Sequence, residues 1–201
     1  MDKVFTANMT GNVVFLAFAA TGAPGFHPLH YVIALAAFMA GAVIAGRLWR
    51  GDGAPRLNHW LVRAAVIESC MLFLAGLVGI ASDRSGLEIA SALPLVIALT
   101  AGAMGFRNAV IRQIKVPDLT TTVLTLTITG IASDSRLAAG TAPNLPARLG
   151  AVVAIFVGAA AGSLLFQRLG LAPTLLATGA VVLLATVVFV RHPQMAELQR
   201  K

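Results

Sequence analysis

Charge is scarce in this chain. Only 11% of its 201 residues are Asp, Glu, Lys or Arg, whereas an ordinary soluble domain carries about one-quarter; water is not its main solvent. Cysteine is almost absent. Cys70 stands alone inside an apolar run, which rules out an intrachain disulfide and a cysteine-based metal site, and a small buried packing residue is expected there. The long apolar runs lack period-two alternation, which argues against a β-barrel. The formal charge of +7 is not gathered into a basic patch with interleaved aromatics, so nucleic acid is not expected as a partner. Met1, Asp2 and Lys3 make a poor start for a signal peptide, and "TANMTGN" interrupts the place where its apolar stretch should begin.

Catalytic signatures are missing as well. There is no Gly-x-Ser-x-Gly elbow, no His-Glu-x-x-His pair and no phosphate-binding loop. His27, His30, His59 and His192 are scattered near segment ends with no carboxylate at metal-ligand spacing. No catalytic residue, metal or cofactor is expected, and nothing recommends an enzyme.

What is present is apolar. Hydrophobic residues make up 58% of the chain and the mean hydropathy is +0.85. Stretches near spanning length, about 20 residues, recur at 28–50, 59–82, 87–111, 147–169 and 172–190. Two further segments, 4–22 and 119–133, are semi-apolar. "GAPGFHP", "RGDGAPRLN", "SDRSG", "IKVPD" and "GTAPNLP" separate the seven, and their Gly, Pro and Asp mark turns. The fold class is all-α, a polytopic integral membrane protein, with the lipid bilayer as its main partner.

Positive charge then sorts the topology. If all seven segments cross, nine of the Lys and Arg residues fall inside and six outside. If segment five dips in and returns, thirteen fall inside and only Arg84 and Arg168 lie outside. Positive-inside bias therefore favours a re-entrant fifth segment. The same question reaches segment one. Thr6-x-Asn8-x-Thr10-Gly11 and Thr125-x-Thr127-x-Thr129-Gly130 match at an offset of 119 residues, which also carries 28–50 onto 147–169. If segment one dips from the outside, only Lys3 changes side and the halves have opposite topology. The chain thus reads as one membrane domain of two inverted repeats, 1–82 and 87–192, an architecture that recurs in transporters. Segment four has no partner ahead of segment one, where symmetry asks for a helix before Val4.

The Thr-rich elements are the leading site candidates. Alternation at 6, 8, 10 and at 125, 127, 129 suits extended backbone, with Gly11 and Gly130 giving a tight change of direction into short helices at 12–21 and 131–139. Irregular backbone at membrane depth is tolerated only where it is buried in protein or lines a wet cavity. A half-helix N-terminus there offers free N–H groups to an anion, and Asn12 would add donors. The plainer alternative is that Thr and Asn only cement neighbouring helices.

Ionisable groups inside apolar runs are costly and default functional candidates. Glu68 in "VIESCML" is the clearest, with Arg107 and Asn108 in "GAMGFRNAVIRQI" next. Glu68 is expected to carry a proton or cation, with Arg107 as its partner or as a solute clamp; a purely structural Glu–Arg pair is the rival. Arg112 is expected to snorkel to the headgroups. Asp118 and Asp134 flank segment five as loop or capping residues. "GAVIAG" at 41–46 and "GAAAG" at 158–162 allow close helix packing or a homodimer through the same faces. Trp49 and Trp60 are expected as interfacial anchors.

With "VFTANMTGNVVFLA" and "GFRNAVIRQIKVPDLTTTVLTLTITG" in view, the chain resembles the bacterial YoaK family of inner-membrane proteins. Ala7-Asn8-Met9-Thr10-Gly11-Asn12 matches that family's early motif, and Gly105-Phe106-Arg107-Asn108-Ala109 its second, except that Arg107 stands where Gln is usual. The resemblance implies a bacterial inner (plasma) membrane location and a further helix ahead of the first motif. It implies no activity.

The resulting expectation is a secondary transporter or permease for a small polar or anionic solute. Its site would lie where residues 6–12 meet 125–130, with Asn108, Glu68 and Arg107 nearby. The alternative is a non-transporting membrane scaffold or accessory protein.

Overall fold

In an apolar solvent only a helix satisfies its own backbone within one segment. The computed structural model describes residues 3–51, 57–85, 89–114, 124–141 and 144–192. Among these are seven α-helices and no strand: α1 (Met9–Ala20), α2 (Pro28–Gly51), α3 (Leu57–Ser85), α4 (Ile89–Ile114), α5 (Leu124–Ser133), α6 (Leu145–Leu169) and α7 (Leu171–Arg191). Helices α2, α3, α4, α6 and α7 are long and apolar enough to cross a membrane, which makes this a membrane-type helical protein. The short ones are different. With 12 and 10 residues, α1 and α5 reach roughly 18 and 15 Å, about half of a hydrocarbon core of about 30 Å. Asp118, residues 119–123 of the fifth segment, and Arg56, Lys115, Arg200 and Lys201 of the charge count lie outside the described residues.

Hydroxyls inside the long helices find partners one turn back. Ser82, Thr100, Thr174, Thr178 and Thr186 each donate to the carbonyl four residues earlier, at 2.7–3.0 Å, so their polarity is satisfied within the helix that carries them. One buried hydroxyl reaches further. Ser69 Oγ donates to the Gly179 carbonyl at 2.9 Å and ties α3 to α7.

Close approach between helices depends on missing side chains. α4 packs against both α2 and α3, and α3 also packs against α7. A Cβ on Gly41 would sit on the Gly102 carbonyl oxygen, and one on Gly105 on that of Phe38, so the backbones of α2 and α4 touch. Between α3 and α7, Leu176 lies over Gly76 and the Phe73 ring over Gly179, each 2.9 Å from where a Cβ would stand. Small residues do the same work in membrane helices generally, letting dispersion act where no hydrophobic drive exists. The short helices follow one rule in both halves: α1 packs on α2, and α5 on α6.

Two expectations about single residues fail here. Trp60 is not an interfacial anchor, being wholly buried with Ala45, Ala64, Phe106 and Val110 and edge-on to Trp49 at 5.4 Å between centroids. The gap opened by Ala45 and Ala64 admits a large ring, and the indole fills it. Cys70 is exposed, not buried, because the inner face of α3 is taken by Glu68, Ser69 and Leu72.

Helix α6 stands apart from the other spans. None of its most apolar window is buried, and a Cβ on Gly158 or Gly162 would meet nothing within 4 Å. The contrast is testable. Gly105→Leu forces a side chain into the Phe38 carbonyl and should cost at least about 1–3 kcal/mol, seen as a lower melting temperature in detergent or failure to fold. Gly158→Leu, in open space, should leave the melting temperature unchanged.

Candidate functional site

Residues 4–8 enter without helix, and α1 begins at Met9. Asn8 caps it, its side-chain oxygen accepting from the Gly11 N–H at 3.3 Å, as Asn does readily at an N-cap. Asn12 has a different task. It is wholly buried, accepts from the Phe5 N–H at 2.9 Å and donates to the Phe5 carbonyl, so its amide clasps the entering strand of backbone. It does not line the cavity described below. Gly11 clears space for the Phe5 ring, 2.7 Å from where its Cβ would be, and Phe5 stacks on Phe15 at 5.6 Å.

The second Thr-rich element departs from the extended form expected of it. Thr125, Thr127 and Thr129 are helical, within α5. The expected helix over 131–139 is absent; α5 ends at Ser133 and a 3-10 turn follows over Arg136–Ala138. Helix closes backbone hydrogen bonds that an isolated extended strand would leave open, and that overrides the β-preference of alternating Thr. Neither Gly11 nor Gly130 makes a turn, since both lie inside helices without positive φ. Gly130 makes room for Arg148, whose Nη1 is 2.8 Å from its Cβ position. Arg148 Nη1 in turn donates to Asp134 at 2.7 Å, joining α6 to the end of α5. The hydrogen bond from Arg148, then that from Ser133, holds the Asp134 carboxyl below its ordinary value.

A cavity of about 810 Å³ opens between α1, α4, α5 and α6. Asn8, Thr10 and Gly11 reach it from α1 and its cap, Arg107 and Asn108 from α4, and Thr125 from α5. Thr6, Asn12, Thr127, Thr129 and Gly130 are not among its lining residues. The sequence match pairs Thr10 with Thr129, yet the structure puts Thr10 and Thr125 in the same place, each second in its short helix. Thr10 stands in the first turn of α1, where no helical carbonyl lies four residues back. Neither hydroxyl has a hydrogen-bond partner among the described residues, unlike those of the long helices.

Arg107 and Glu68 meet as expected. Arg107 Nη1 donates to both carboxylate oxygens of Glu68, at 2.9 and 3.1 Å. The Glu68 side chain is 5% exposed and that of Arg107 46%, so the acid is enclosed and the base opens to the cavity. A second cavity, about 90 Å³, has Glu68, Arg107, Ala64, Val110 and Thr186 on its wall. Arg107 therefore stands between the two. Asn108 donates from Nδ2 to the Met104 carbonyl at 2.8 Å and lines the larger cavity.

Sequence reasoning missed Val14, Phe15, Met104, Ile111, Leu124 and Ile155, which give that cavity its apolar wall. They are ordinary helix residues in an apolar chain and carry no local signal.

The chain belongs to the family described as "Protein of unknown function (DUF1275)", whose profile matches residues 1–188. No curated protein and no solved structure matches it significantly.

Asn12→Ala leaves the Phe5 N–H and carbonyl without their partner. It should cost about 1–3 kcal/mol, and a cysteine placed at Ala7 should then react faster with a water-soluble maleimide. The Asp134 pair predicts a pH signature. Because the folded value is depressed, the stabilisation is fully present above the unfolded value, about pH 4, and is lost as pH falls through the folded value. The difference in melting temperature between wild type and Asp134→Asn should close accordingly.

Proposed function

We propose that this DUF1275 chain is a secondary transporter or permease of the bacterial inner membrane, acting on a small polar or anionic solute. The observation that carries the reading is the cavity shared by Asn8, Thr10, Arg107, Asn108 and Thr125. Polar groups in an apolar protein are costly unless they are paired or face something polar. A scaffold would use such groups as Asn12 is used, clasped to its own backbone. Thr10 and Thr125 line the cavity instead, their hydroxyls without a hydrogen-bond partner among the described residues, and this supports a site that receives a solute.

The reading includes α1 and α5 as re-entrant elements of two inverted repeats, with the YoaK likeness of Ala7–Asn12 as part of it. Their half-membrane length and their common packing on the following long helix support this. α4 covers α2 and α3; the repeat leaves the equivalent place on α6 and α7 for a helix of the same kind, in keeping with the open Gly158 and Gly162. Glu68 would serve as the coupling group, held by Arg107.

The test is flux into proteoliposomes of a panel of neutral and anionic solutes, glycerol, urea, lactate and benzoate among them. Flux above empty liposomes is expected for at least one. The double variant Thr10→Val/Thr125→Val should reduce it about tenfold, the order expected when about 1.4 kcal/mol of hydrogen bonding to the solute is lost. Flux of no solute, or flux indifferent to that variant, would reject the reading.

A further inference from the structure

The wall of the larger cavity fixes more than polarity. Among the described residues lining it, Arg107 alone is charged, and Val14, Phe15, Met104, Ile111 and Leu124 are apolar. One guanidinium balances one negative charge. Its planar fork matches a carboxylate or another planar or trigonal oxyanion with two parallel hydrogen bonds. Arg107 gives Glu68 only Nη1, and no other hydrogen bond to it occurs among the described residues. Nε and Nη2 remain for a second acceptor on the open side. Asn8 adds an amide nitrogen, since only its oxygen is used in capping, and Thr10 and Thr125 add hydroxyls.

Among the described residues Glu68 has no ion-pair partner other than Arg107. α4 brings Arg107 and, further along, Arg112; α7 brings no titratable group before Arg191; α3 itself brings His59, Arg63, Cys70 and, at its far end, Asp83 and Arg84. Among these, Arg107 is the group in hydrogen-bond contact with it. Resting on the transport reading above, we propose that the solute is an organic monocarboxylate that takes Arg107 from Glu68, and that Glu68 then binds one proton. The guanidinium and Glu68 begin as a neutral pair. A ligand carboxylate entering on Nε and Nη2 makes two anions on one cation in an apolar surround, and a buried anion without its own cation is too costly to persist. The Glu68 carboxylate leaves Nη1 and takes up one proton from water, becoming the neutral acid. The ligand carboxylate is now the partner of Arg107, and the site is neutral before and after. One anion and one proton enter together. The ligand's apolar body lies against Phe15, Met104 and Leu124.

The test uses the full chain purified in detergent, with sodium benzoate and sodium benzenesulfonate as probes. Proton uptake is read with an indicator dye in weak buffer, and affinity by calorimetry from about pH 6 to about pH 8. One proton per bound benzoate is expected, with Kd rising about tenfold per pH unit. Benzenesulfonate cannot itself be protonated in this range, so one proton per bound sulfonate locates the uptake on the protein without any variant. Glu68→Gln should bind both probes with no proton uptake and a flat pH profile, and Arg107→Gln should lose at least tenfold in affinity. Binding without proton uptake overturns the exchange and leaves the cavity reading intact, as does failure to bind either probe while neutral solutes still permeate. A pH slope retained in Glu68→Gln means the uncharged acid binds, and likewise overturns it. No binding here and no flux of any panel solute removes both.

Discussion

α4 lies nearer to α2 than any side chain would permit, because Gly41 and Gly105 leave backbone against backbone. Everything at the centre of the molecule takes its position from that contact. Gly105 is two residues from Arg107, so the depth at which α4 seats on α2 decides how far the guanidinium reaches toward α3. On the other flank α3 is held to α7 through Gly76, Gly179 and the Ser69 hydroxyl. Glu68 is adjacent to Ser69. The acid and the base are thus brought together by two separate glycine-lined seams, with neither relying on the ion pair to hold its helix.

That division matters for what the pair is worth. A buried salt bridge is weak evidence for stability, since desolvation opposes attraction. Here the helices are already fixed by packing, and the pair adds a charge that one side of the protein can reach. Half-exposed Arg107 beside enclosed Glu68 is a polarised arrangement: the acid faces protein and the base faces space.

Much of the fold was legible in the sequence because the solvent made it so. Length and hydropathy placed the five long helices to within a few residues, as at 28–50 against Pro28–Gly51 and 172–190 against Leu171–Arg191. The pairing of Glu68 with Arg107 was legible too, since two opposite charges in apolar runs have few other partners. The Thr-rich elements were read less well. Periodicity registered the alternation of Thr125, Thr127 and Thr129, but backbone satisfaction dictated helix. Asn12 resembled Asn8 in the sequence, yet one clasps Phe5 and the other caps a helix; tertiary proximity decides that difference and one-dimensional spacing does not carry it. Trp60 and Cys70 exchanged their expected places for the same reason: inner and outer faces of α3 depend on which neighbours arrive.

The link between α6 and α7 is one residue long. Gly170, with φ +86 and ψ −173, closes one helix and opens the next. Such a joint lets the two rods tilt about it but gives neither slack to slide along its own axis. α6 carries Ile155 on the cavity wall, while α7 bears on the seam beside Glu68 through Gly179. The chamber wall and the bed of the acid are thus carried by two rods that share a single glycine as their joint.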